Sequence, residues 1–256
     1  MQYNNLINQY NDAIKEFNIS LASRLKSEIL ANKLNYKLFR YQTCNVNNLN
    51  ALQKKNIWLA YPKDFNDPFE FNCTIGNAMD NFVKKMGLLA EIPQLNELFS
   101  EKTANHTQLI DDAKHEFAIC CFMEENDSIL MWSHYADSHK GFCIEYSFSE
   151  EKFNQFVYPV CYLNEIIDIP FGKADFMSVM LAKSDIWSYE NEWRIIFNGS
   201  EHGLHEAPQI TAVYLGTEID ETNKKKIQNI CSEEGYKLYQ MTKVYGQYKL
   251  KATQCL

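Results

Sequence analysis

The sequence predicts an α+β fold built on a mainly antiparallel or mixed central sheet with flanking helices. Short apolar strand candidates are separated by polar helices without a regular strand–helix–strand rhythm, which argues against a doubly wound parallel sheet. The 256 residues are 46% hydrophobic and 14% aromatic, enough for one sizeable core. Nine glycines and six prolines are too few for a fibrous or disordered chain.

Residues 4–33 read as helix. Ile7, Tyr10, Ile14, Phe17, Leu21 and Leu25 recur every three or four positions. Ser20 is a candidate cap for a second helix after Asn18, so this stretch is one helix or two. We assign 1–34 to an N-terminal helical extension whose apolar stripe packs on the domain core; a homodimer or partner contact through 4–33 is the alternative, because the spacing alternates four and three. The main domain, 35–256, opens with a strand at 36–41 (YKLFRY) and a helix at 47–55, with Asn47 or Asn48 as cap. A strand at 56–60 (NIWLA) leads into a loop with two prolines at 61–68.

Residues 77–116 are polar and helical in pattern, and are expected to form a surface insertion. A strand at 117–122 precedes an acidic loop, where Asp127 or Ser128 caps a helix carrying Leu130–Tyr135. Strands are expected at 141–148, 157–163, 192–198 and 209–215, with a helix at 176–185. A charged helix at 220–234 stops at Gly235, and two strand-like segments, 237–243 and 244–250, close the chain.

A net charge of −8 does not suggest a broad nucleic-acid-binding face, although a local basic groove is compatible with it. No run is long enough to span a membrane and the first ten residues lack a signal-peptide layout, so a cytoplasmic protein is expected. The eight cysteines form no C-x-x-C pair and are expected to be reduced and mostly buried. Phosphate-loop, dinucleotide, serine-hydrolase and zincin motifs are absent.

Two dense segments stand out: 130–146 (LMWSHYADSHKGFCIEY) and 187–197 (WSYENEWRIIF). A strand needs apolar residues, not so many ionisable ones. His134, Asp137 and His139 lack the further partners of a metal site, and no metal is expected. Glu190 and Glu192 are the sharper pair. If Glu192 opens a strand, both point the same way, and paired carboxylates raise at least one pKa unless a cation such as Arg194 intervenes. Two roles are open to them. One is a salt-bridged strand entrance; the other is holding a ribose hydroxyl or a developing positive sugar carbon. Arg40, at the end of the first strand, could clamp a phosphate or make a strand-end ion pair. Asn66, Asp67 and Glu70 fit turn chemistry around Pro68, with Asn66 and Asp67 also candidate cofactor-binding residues, and Trp58, Phe65, Phe69 and Phe71 fit core contacts. A metal-dependent nuclease using Asp67, Glu70 and Glu192 is a further alternative.

The strings LFRYQT, IWLAYPKDFNDPFEF, ILMWSHYADSHKGFCIEY and WSYENEWRIIF resemble the bacterial DUF2971 family over most of 36–250. That family is defined by sequence and carries no assigned function. A remoter resemblance is to the ADP-ribosyltransferase fold. It implies NAD as the substrate, with Arg40 and Tyr41 in the first NAD-contacting motif, a helix at 48–52, and Glu190 with Glu192 as the third motif. The Ser-Thr-Ser strand of that fold is missing; Ser133, His134 and Tyr135 stand in for it on a helix. The resemblance implies an NAD-consuming transferase or glycohydrolase acting in phage defence or as a toxin on a protein or nucleic-acid acceptor. Glu192 would stabilise the transition state, Glu190 orient the acceptor, His134 bond a ribose hydroxyl, and Tyr41 or Tyr135 stack on nicotinamide. The competing reading is a non-enzymatic nucleotide-sensing or protein-interaction module.

Overall fold

The computed structural model describes residues 2–32, 34–76, 108–169, 176–199 and 202–255. Most of the expected insertion, 77–107, lies outside the described residues; 108–116 is helical. Two N-terminal helices, α1 (Gln2–Lys15) and α2 (Ile19–Asn32), are separated at Phe17, which adopts a positive φ of 59°. The cap of α2 is Asn18, whose side chain accepts from the Leu21 amide at 3.1 Å, and not Ser20. Tyr10, Ile14, Leu25 and Ile29 are buried in the same core as the sheet, so the helical stripe is consumed internally. Tyr10 also donates to the Pro159 carbonyl at 2.7 Å, and the buried Lys26 ammonium donates to the Asn154 carbonyl. Desolvation lowers Lys26 to about 8. Among the described residues, no helix is long and apolar enough to cross a membrane.

The strands are β1 (Lys37–Gln42), β2 (Asn56–Leu59), β3 (Thr74–Ile75), β4 (Phe117–Met123), β5 (Phe142–Ser147), β6 (Val157–Pro159) and β7 (Cys161–Leu163). They continue as β8 (Asp168–Ile169), β9 (Ala182–Ser184), β10 (Glu192–Asn198), β11 (Gly203–Glu206), β12 (Gln209–Leu215), β13 (Lys237–Lys243) and β14 (Leu250–Gln254). Eight of them form the main sheet in the order β14-β13-β12-β5-β1-β4-β10-β6. Its one parallel pairing among the described residues, β12 with β13, is bridged by a helix at Glu221–Glu234, capped by Asp220 and stopped at Gly235 with φ 73°. The sheet is therefore mixed but mainly antiparallel.

Several expected boundaries move. The helix after β1, α3 (Val46–Gln53), is capped by Asn45, whose side chain accepts from the Asn48 amide at 2.8 Å; Asn47 and Asn48 lie inside it. The expected strand at 157–163 is two strands, since the Val160 amide bonds sideways to the Glu192 carbonyl. The expected helix at 176–185 ends at Leu181, and β9 follows it. The last strand begins at Leu250, because 244–249 is a turn.

One irregularity positions everything that follows. β1 and β5 pair along six residues, but β1 and β4 meet through a single pair, Phe39 opposite Met123. Beyond that pair the two strands diverge: β4 is held by β10 along seven residues, and its Ile119 bridges to Ala60. The sheet opens into two leaves.

Candidate functional site

The gap between the leaves is a cavity of about 470 Å³. Arg40–Thr43, at and just past the end of β1, and Ile119–Cys121, from β4, form its opposing edges. Trp58, Phe65 and Trp187 supply aromatic surface, and Glu70, Lys183, Glu190 and Glu192 supply a charged floor.

The floor is built by a local backbone device. Glu190 ends a 3-10 turn (Asp185–Glu190), Asn191 adopts a left-handed conformation with φ 44°, and Glu192 starts β10. This reversal turns both carboxylates toward one cation. Lys183 of β9 lies 2.5 Å from Glu190 Oε2, 2.9 Å from Glu192 Oε2 and 3.2 Å from Glu70 Oε1. Arg194 donates through Nε to Glu192 Oε1 at 2.7 Å, through Nη2 to Glu192 Oε2 at 3.0 Å and to Glu70, and through Nη1 to the Met180 carbonyl at 2.7 Å. Its guanidinium lies near Phe65 and Phe71, 5.7 and 5.1 Å from the ring centres. All five ionic side chains are buried.

Three carboxylates therefore meet two cations. Burial works to raise Glu192, but Arg194 and Lys183 override it and hold the carboxyl at about 2. Glu190 is shifted the other way: burial raises it, Lys183 opposes, and repulsion from Glu192 adds to the rise. Burial works to lower Lys183, but the glutamates around it raise it above its ordinary value. Tyr135 donates to Glu190 Oε1 at 2.8 Å, and burial together with that carboxylate raises the phenol too. One excess negative charge thus resides at Glu190, the carboxylate with the least cationic compensation.

Arg40, on the opposite edge, has no carboxylate in ion-pair range among the described residues. Burial works against its charge, but Cys120, Tyr146 and Cys121 raise it, and it remains a cation facing the cavity.

Of the candidate residues named from the sequence, Arg40, Tyr41, Asn66, Asp67, Tyr135, Glu190 and Glu192 all line this cavity. Asp67 accepts from the Trp187 indole at 2.8 Å and from the Phe69 amide at 2.9 Å, the latter being the expected turn bond. The Tyr41 ring is buried edge-on against Trp132 at 5.2 Å, and its hydroxyl donates to the Glu125 carbonyl, so its ring face is not free to stack on a ligand. Ser133 and His134 are exposed on the helix Ile129–Tyr135 and do not line the cavity. Ser133 donates to the Ile129 carbonyl at 2.8 Å and approaches His139 at 3.3 Å. Trp58 and Phe69 are 49% and 71% exposed, so neither is the core residue expected of it.

Sequence reasoning names Glu70 as a site residue only in a nuclease alternative, with Asp67 and Glu192, and does not name Lys183. Lys183 falls in a segment whose pattern predicts helix, and a lone lysine carries no signal. Glu70 fits turn chemistry locally; its partner Arg194 is 124 residues away and cannot be inferred from spacing.

Residues 131–195 match the model of a family described as protein of unknown function, DUF2971. The matched segment runs from the Tyr135 helix to β10 and contains Lys183, Glu190, Glu192 and Arg194, that is, four of the five charges of the floor. The Arg40 edge lies outside it. No curated protein and no solved structure matches the chain.

Proposed function

We propose that the cleft binds a nucleotide and that the chain is an NAD-consuming enzyme of ADP-ribosyltransferase type. The observation that carries this reading is Arg40, an uncompensated cation facing an excess carboxylate across an aromatic-walled gap in the sheet. A dinucleotide presents complementary chemistry: phosphates for a guanidinium, rings for Trp58, Phe65 and Trp187, and ribose hydroxyls for carboxylates.

Loss of nicotinamide leaves positive charge on the ribose carbon, and a fixed buried carboxylate stabilises that charge. The two glutamates are not equivalent for this task. Both oxygens of Glu192 are engaged by Arg194 and Lys183, which offsets its field. We therefore give Glu190 the electrostatic role and Glu192 the task of holding Lys183 and Arg194 in place. Tyr135 fixes the Glu190 carboxylate in orientation. Nicotinamide release from NAD by the purified protein, followed chromatographically, tests the reading. Glu190→Gln should abolish release while the circular dichroism spectrum is unchanged; equal release by variant and wild type sinks the proposal.

The engagement of Glu192 favours a second reading, a nucleotide-sensing module that binds without chemistry. Thermal stabilisation by NAD or ADP-ribose with no product after prolonged incubation would select it.

A further inference from the structure

β13 and β14 are joined by a tight hairpin whose tip carries two unused aromatic rings. The Val244 amide donates to the Lys249 carbonyl at 2.9 Å, the Gln247 amide to the Val244 carbonyl at 3.2 Å, and Gly246 turns the chain with φ 71°. At 101% and 98% exposure, Tyr245 and Tyr248 are the most exposed large hydrophobic side chains among the described residues. Rings so placed contribute nothing to the core.

Their surroundings are basic in an acidic chain. From 236 to 256 there are four lysines, Lys237, Lys243, Lys249 and Lys251, and no Asp or Glu, although the whole chain carries −8. Lys243 pairs with Glu218 at 2.7 Å. Lys249 and Lys251 are exposed, follow closely on Tyr248, and have no carboxylate in ion-pair range among the described residues. The hairpin also leaves the sheet at the same end as the cleft. A continuous row of paired residues, Gln42, Phe142, Leu215 and Gln240, crosses from β1 to β13, and the tip extends beyond it.

We propose that this hairpin docks single-stranded nucleic acid. Unpaired bases offer stacking faces to Tyr245 and Tyr248, and the phosphates between them meet Lys249 and Lys251. An acidic peptide would satisfy the lysines but leave both rings in water; an apolar partner would strand the lysines. The surface stands independently of the NAD reading and goes beyond it; if both hold, the strand is delivered to the open end of the cleft.

Fluorescence anisotropy of the full chain with labelled oligothymidylate and oligouridylate at low salt tests the proposal. Wild type should bind, and the double variant Tyr245→Ala/Tyr248→Ala should weaken binding by roughly tenfold or more. Lys249→Ala with Lys251→Ala should flatten the log–log salt dependence by about 0.7 for each phosphate that a lysine no longer neutralises. The proposal is overturned if wild type does not bind either oligomer, or if the tyrosine variant binds as well as wild type. Competition by polyglutamate as effective as by unlabelled oligomer would also overturn it, since charge alone would then account for binding. Absence of NAD turnover would not move any of these readouts.

Discussion

The floor of the cleft and its β1 edge handle charge in opposite ways. On the β10 side, Glu70, Glu190, Glu192, Lys183 and Arg194 are buried together and are linked by ion pairs and hydrogen bonds among their side chains, with one excess negative charge left at Glu190. On the β1 side, Arg40 faces the same space with no carboxylate partner among the described residues. Charges that are mutually paired hold a fold in one arrangement; an uncompensated one is retained at a cost and marks a place for something from outside. Glu70, Glu192, Lys183 and Arg194 are scaffold, Glu190 carries the excess charge of the floor, and Arg40 is the cation left without a carboxylate partner among the described residues.

The largest expected effect comes from breaking the floor. Arg194→Met removes the hub and leaves Glu70 and Glu192 buried beside a single lysine, so urea denaturation should show a drop in stability of about 3–5 kcal/mol. A drop below about 1 kcal/mol would mean that the floor is not scaffold. Next, the glutamates should separate. Glu192→Gln should cost on the order of 3 kcal/mol at neutral pH, whereas Glu190→Gln should cost less than about 1 kcal/mol, since it removes the excess charge and keeps an acceptor for Lys183 or Tyr135.

The pH dependence follows with a definite sign. Glu192 is depressed from 4.5 to about 2, so its contribution is fully present above pH 4.5 and is lost as pH falls through 2. Glu190 is raised, so its ionisation opposes folding above its folded value, and that penalty is relieved on acidification. Wild type should therefore lose stability between about pH 4.5 and 2, and Glu192→Gln should flatten the curve there. An unchanged acid slope in the variant would contradict the assignment.

A smaller effect is expected at the hinge of the floor. Asn191→Val forces a β-branched residue into left-handed backbone and should cost about 1–2 kcal/mol, while Asn191→Gly should be nearly neutral. The smallest change in stability belongs to the other edge. Arg40→Ala should lower stability in urea by no more than about 0.5 kcal/mol, yet abolish any thermal shift produced by pyrophosphate. A large destabilisation would reassign Arg40 to the scaffold.

Strands are legible in the sequence where apolar runs are uninterrupted. β10 and β12 have the expected bounds, because EWRIIFN and QITAVYL are rich in β-branched and aromatic residues that suit little else. A short polar strand that follows a helix is not legible, as at Ala182–Ser184, which is too brief for any period to register. Caps are displaced by two or three residues, since Asn18 and Asn45 compete with neighbouring Ser and Asn of equal capping ability. Local spacing is enough to join Glu190, Glu192 and Arg194. Glu70 and Lys183 arrive from distant elements, and only tertiary packing brings them in. Ser133 and His134 stand out by composition, but their helix turns those two side chains outward and presents Tyr135 instead.

The single pair joining β1 to β4 has a consequence for how the site tolerates change. Past Phe39, β1 is laddered only on its β5 side, and its other edge borders the gap. Whatever enters there meets peptide groups as well as side chains. Peptide groups are common to every residue type, so that part of the gap's surface survives substitution at individual lining positions.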